Sequence, residues 1–77
     1  MTRPSPRTGP LGTRVRYWRR RRGMTQAVLA GLAGLSQPYL SMIERGTARP
    51  QRLGTLAVLA NALEVPVTAL VDVPRLS

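Results

Sequence analysis

The sequence predicts an all-α domain, and three observations carry that expectation. Apolar residues recur at the three- and four-residue spacing of amphipathic helices in successive short segments. Hydroxyl side chains and glycines stand where such segments begin and end. The 77 residues make one small domain with a marginal core. With no cysteine to staple it, such a domain must survive by close helix packing. The pattern predicts five short helices in one compact unit over 11–72. A disordered basic arm over 1–10 precedes it, and a short tail over 73–77 follows.

Met1 to Pro10 reads MTRPSPRTGP, without periodicity and rich in Pro, Gly, Ser and Thr. It reads either as an inert tail or as an arm that follows a phosphate backbone or enters a minor groove. From Leu11 to Arg22, the residues Leu11, Val15 and Trp18 form one stripe at i, i+4, i+7. Trp18 is therefore expected in the core rather than against a base. Arg16, Arg20 and Arg21 face away from that stripe. The run Arg19 to Arg22 lies near the helix C-terminus, where the backbone dipole favours positive charge. As a solvated face, a nucleic-acid patch or a membrane-surface patch, it stays open.

The central stretch, Thr25 to Gly46, reads TQAVLAGLAGLSQPYLSMIERG. Thr25 stands where an N-cap hydroxyl is wanted, and Leu29, Ala30 and Ala33 share one face of the helix it starts. Gly34 can end that helix with positive φ at no steric cost. Ser36 is the cap of a third helix, over about 37–44, whose buried face is Leu40 and Ile43. Pro38 falls in its first turn, where a missing N–H has no intrahelical partner to lose. Gln37, Pro38, Ser41, Met42 and Arg45 are left facing outward. Helices this short cannot stand alone in water, so they must dock on others.

Thr47 to Arg52 is a loop broken by Pro50. Leu53, Leu56, Leu59, Ala60 and Leu63 mark a fourth helix. Val65-Pro66-Val67 ends it and starts a fifth, with Leu70 inward; Val71 and Val73 are apolar near an exposed end.

Charge is the dominant compositional feature. All 12 basic residues are Arg, against 3 acidic residues, for a formal net charge of +9. The distribution is uneven: Met1 to Arg52 holds eleven Arg against Glu44 alone. A chain basic toward one end points to a polyanion on that side. An enzyme is not expected, since there is no His or Cys and the three carboxylates are scattered. No metal-ligand spacing or Gly-rich phosphate loop is present, so no metal and no cofactor is expected. No apolar run reaches the roughly 18 residues of a membrane span, and no signal-peptide core is visible. The absence of cysteine fits a cytoplasmic setting.

The central stretch resembles the helix-turn-helix of phage-repressor-like transcription regulators (the Cro/C1 or XRE type). The resemblance rests on Thr25-Gln26, Leu29-Ala30, Gly34, Ser36-Gln37, Tyr39-Leu40-Ser41 and Glu44-Arg45-Gly46. Leu11-Gly12 and Arg19 through Gly23-Met24 match upstream, and Leu56 to Leu70 downstream. It implies a sequence-specific duplex-DNA-binding regulator whose third helix enters the major groove, working as a homodimer. Base contacts are expected from Gln37, Pro38, Ser41 and Met42. Gln37 leads, because a carboxamide can bond adenine bidentately. Phosphate contacts are expected from Thr25, Gln26, Tyr39, Arg45, Arg49 and Arg52. The family also pairs the residues at Arg19 and Glu44 in a structural ion pair.

Two departures stand out. The loop is about one residue longer than the family's and leaves Arg52 near the cap position of the fourth helix. Val28 and Leu32 occupy positions where the family places polar residues, so they form either plain surface or a docking strip. The competing functional reading is a protein-interaction module, antitoxin-like or the N-terminal part of a longer regulator. In a further reading, the Arg-rich chain binds RNA or anionic membrane without specificity.

Overall fold

The computed structural model describes residues 9–72, so most of the expected arm and all of the expected tail lie outside the described residues. Four α-helices follow one another: α1 (Leu11–Arg21), α2 (Gln26–Ala33), α3 (Gln37–Arg45) and α4 (Leu53–Leu63). All regular structure among the described residues is helical. The expected fifth helix is instead a single 3-10 turn, Val67–Ala69. Pro66 enters it in an extended conformation, and the β-branched Val67 and Thr68 lose rotamer freedom in a longer helix. What closes are short bonds: the Ala69 N–H donates to the Pro66 carbonyl at 2.9 Å and the Leu70 N–H to Val67 at 2.9 Å.

The punctuation of the central stretch is chemical and local. The Thr25 hydroxyl accepts from the Val28 N–H at 3.1 Å, and the Ser36 hydroxyl from the Tyr39 N–H at 3.2 Å. Each satisfies a helix-start donor with no intrahelical partner. Gly34 and Gly46 end α2 and α3 at φ 70° and 83°, where a Cβ would be strained. Arg52 occupies the N-cap of α4 and gives no side-chain hydrogen bond there. The other end of α4 is held from afar. Arg22 donates through Nε to the Leu63 carbonyl at 2.8 Å and through Nη2 to the Glu64 carbonyl at 3.1 Å. Its guanidinium also lies 5.7 Å from the centre of the Trp18 ring.

The core joins all these elements. Val15, Leu29, Ala30, Ala33, Leu40, Ile43, Leu59, Ala60, Leu63 and Leu70 are buried in one cluster. Leu11 and Trp18 pack against its edge rather than inside it. Leu53, counted above with the apolar pattern of the fourth helix, is exposed. It is the first residue of α4 and stands past the end of the packed cluster. α1 meets α3 closely, because Gly12 leaves room for the helix backbone opposite. A Cβ at Gly12 would run into the Ile43 carbonyl oxygen and stand 2.7 Å from that of Glu44.

Candidate nucleic-acid interface

α3 separates two jobs around its circumference. Leu40 and Ile43 point into the core, while Gln37, Pro38, Met42 and Arg45 are exposed and Ser41 is half-buried. Gln37, Ser41 and Glu44 follow one another at i, i+4, i+7, so Glu44 lies at the edge of the outward face. Arg45 turns back along its own helix, where Nε donates to the Ser41 carbonyl at 3.4 Å. The Thr47 hydroxyl donates to the Met42 carbonyl at 3.2 Å and closes the helix end.

Glu44 is where the frame grips this helix. Arg19 donates through Nε to Glu44 Oε2 at 2.7 Å and through Nη2 to Oε1 at 3.0 Å. This two-pronged geometry is the strong form of a charged hydrogen bond. Its remaining nitrogen, Nη1, donates to the Met24 carbonyl at 2.9 Å. The Glu44 side chain is 0% exposed and that of Arg19 11%. Burial alone pushes the Glu44 carboxyl up. Hydrogen bonds from Arg19 and Gln26, the Arg19 charge and the Arg16 contact outweigh it and hold the carboxyl below its ordinary value of 4.5.

The residues expected at phosphates divide into two kinds. Arg45, Arg49 and Arg52 are exposed, and Arg45 and Arg49 border one groove with Pro10, Leu11 and Val71. Thr25, Gln26 and Tyr39 have structural duties as well. The Thr25 hydroxyl caps α2, the half-buried Tyr39 packs against the core, and Gln26 Nε2 donates to Glu44 Oε1 at 3.3 Å.

Two arginines that sequence reasoning left without a role are held in the fold. Arg16 Nε reaches Glu44 Oε1 at 3.5 Å, at the rim of the α3 face. Arg14 is buried at the far side of α1, where Nε donates to the Gly9 carbonyl at 2.7 Å and Nη2 to Asp72 Oδ1 at 3.1 Å. Arg14 directly precedes Val15, the most buried residue of the α1 stripe, which was the one available signal. Val28 and Leu32 are exposed on α2, and Leu32 shares a shallow groove with Val58, Asn61 and Met24. Among the described residues no group of His, Cys, Asp and Glu could hold a metal ion, and no helix is long and apolar enough to cross a membrane.

A family model described as a helix-turn-helix domain matches residues 10–73. The chain belongs to this helix-turn-helix family. Over 61 residues it is 43% identical to the immunity repressor protein of Bacillus phage phi105, covering 79% of this chain and 42% of the repressor. The chain thus spans about two fifths of the length of curated relatives of that kind. SinR of Bacillus subtilis, a master regulator for biofilm formation, superposes in its complex with DNA at a TM-score of 0.76. The identity is 32%, covering 80% of this chain and 98% of that one. The P22 c2 repressor protein, in complex with a synthetic operator, superposes at 0.77 with 29% identity, covering 84% and 97%. In this chain α2, the turn Gly34 to Ser36 and α3 make the helix-turn-helix unit.

Proposed function

We propose that this chain binds duplex DNA sequence-specifically as a transcription regulator, with α3 lying in the major groove. One observation carries the reading. The outward face of α3 offers Gln37, Pro38, Ser41 and Met42, while the acid on that helix, Glu44, is turned inward and neutralised by Arg19. A probe with no exposed negative charge, bordered by Arg45, Arg49 and Arg52, suits a groove walled by phosphates. The DNA complexes of SinR and of the P22 c2 repressor, on the same fold, support it. In this reading Gln37 bonds a base edge, Ser41 and Met42 extend the readout, and Pro38 gives apolar contact. Thr25, Gln26, Tyr39, Arg45, Arg49 and Arg52 position the domain on the backbone. Two copies then sit on half-sites about one helical turn apart.

The test is selection of a preferred site from random duplexes, followed by affinity measurements across a range of salt. Log affinity should fall linearly with log salt, by about 0.9 per phosphate neutralised. Gln37→Ala should lose roughly 1–3 kcal/mol on the selected site and much less on random duplex. Arg49→Ala should weaken both alike and flatten the slope by about one unit. A slope near zero for the parent would remove DNA as the ligand. Equal losses for Gln37→Ala on both duplexes would make Gln37 a backbone contact.

A further inference from the structure

Arg16 belongs to α1, two elements away from the helix proposed to read the groove, yet its position ties it to that helix. Gly12 and Arg19 flank the line along which α1 approaches α3: Gly12 meets the carbonyls of Ile43 and Glu44, and Arg19 holds the Glu44 carboxylate. Arg16 lies one turn from both, at i+4 and i−3, and therefore on the same side of α1. Its Nε stands 3.5 Å from Glu44 Oε1. Because Glu44 follows Ser41 and Gln37 at helical spacing, the half-exposed Arg16 side chain stands beside that flank of α3.

The Arg16 contact is the weakest of three on one atom. Glu44 Oε1 also accepts from Arg19 Nη2 at 3.0 Å and from Gln26 Nε2 at 3.3 Å. A carboxylate oxygen offers about two lone-pair sites, so the third and longest donor is the one most readily released. The carboxylate loses little by it, since Arg19 keeps both prongs. The Arg16 side chain is 45% exposed, against 11% for Arg19. One guanidinium here is locked into the frame, and its neighbour one turn away is loosely parked at the edge of the face.

We propose that Arg16 is a further DNA-positioning residue, which leaves Glu44 on binding and takes a backbone phosphate beside α3. It adds a contact from α1 beside Glu44, whereas Arg45 and Arg49 stand on α3 and the loop that follows it. The inference rests on the DNA reading above. On random duplex Arg16 contributes as much as on a selected site, because a phosphate carries no sequence.

The experiment compares Arg16→Ala, Arg16→Lys and Arg21→Ala by duplex affinity across salt and by urea unfolding. Arg21 stands in the last turn of α1, five residues beyond Arg16, and controls for the loss of one unit of net charge. Arg16→Ala should flatten the salt slope by about 0.9 and weaken selected and random duplex by the same factor. Its urea midpoint should stay at the parent's, while Arg16→Lys restores the slope and Arg21→Ala leaves it unchanged. A slope for Arg16→Ala equal to that of Arg21→Ala overturns the proposal. So does a lowered urea midpoint with an unchanged slope, which would make Arg16 only a structural partner of Glu44. If the parent itself shows no salt-dependent duplex binding, the DNA reading fails first and takes this role with it.

Discussion

Arg19 holds two elements with one guanidinium, gripping both oxygens of Glu44 on α3 and the Met24 carbonyl ahead of α2. Because the Glu44 side chain is 0% exposed, removing Arg19 would leave a buried carboxylate with only the longer Gln26 and Arg16 contacts. Loss of one partner from such a pair costs roughly 3–5 kcal/mol, a large share of the stability of so small a domain. Arg19→Ala should therefore unfold at much lower urea than the parent, and a midpoint near the parent's would contradict the role given to the pair. The pH dependence follows from the direction of the Glu44 shift. The folded carboxyl titrates below its ordinary value of 4.5, so folding favours the ionised form. That contribution is complete above the unfolded value and is lost as pH falls through the folded one. The parent should lose stability on acidification below about 4.5, and Glu44→Gln should flatten that part of the profile. A lone acid bordering a buried face shows only that some cation must meet it. Both residues could be named from sequence through the family resemblance, which pairs these two positions. The sharing of Glu44 Oε1 by Arg16, Arg19 and Gln26 could not, because it depends on how three helices meet.

At the scale of elements, what the sequence made legible was whatever is decided within four residues. Thr25, Gly34 and Ser36 act on their own backbone neighbourhood, so residue type and position suffice to place them. The segment after Pro66 failed the same reading, because a repeat of apolar residues does not distinguish one 3-10 turn from a short α-helix. Leu53 opens α4 as the apolar pattern predicts, but its exposure was not legible, because periodicity gives a face and not where the neighbouring helix stops. Gly12 is the clearest case of a role set entirely by a partner element. Gly12→Ala pushes a methyl group into the Ile43 and Glu44 carbonyls, and backbone cannot turn aside as a side chain can. The cost should reach or exceed the upper end of the roughly 1–3 kcal/mol typical of overpacked cores. Gly31, in the middle of α2, has nothing within 4 Å of the same methyl position. There Gly31→Ala should instead stabilise, by roughly 0.5–1 kcal/mol, through helix propensity alone. Thermal melts of the two variants should shift in opposite directions. Equal shifts would mean that the close approach of α1 and α3 does not govern the site.

For the whole molecule, the charge count overstates what is offered to a polyanion. Arg14, Arg19 and Arg22 are spent on holding helices and the segments beside them together, through Gly9, Asp72, Glu44, Met24, Leu63 and Glu64. Composition cannot separate such arginines from those facing solvent. α2 and α4 carry no ionised side chain, so the charge left over gathers on the other elements. Arg14 has the widest structural reach, since it joins Gly9 to Asp72, far apart in sequence, across the start of α1. Its two bonds are unequal. The carbonyl bond is shorter and buried, whereas the Asp72 side chain is 82% exposed against 1% for Arg14. An ion pair with one partner in water is screened and contributes at most about 1 kcal/mol. Asp72→Asn should therefore move the urea midpoint little. Arg14→Ala removes a long side chain from a site with almost no solvent access, and with it the packing of its aliphatic stem. Its loss should approach the roughly 2–5 kcal/mol of a large-to-small core substitution. Comparable losses for the two variants would show that the Asp72 charge, and not burial of Arg14 with the Gly9 carbonyl, ties the two ends of the domain.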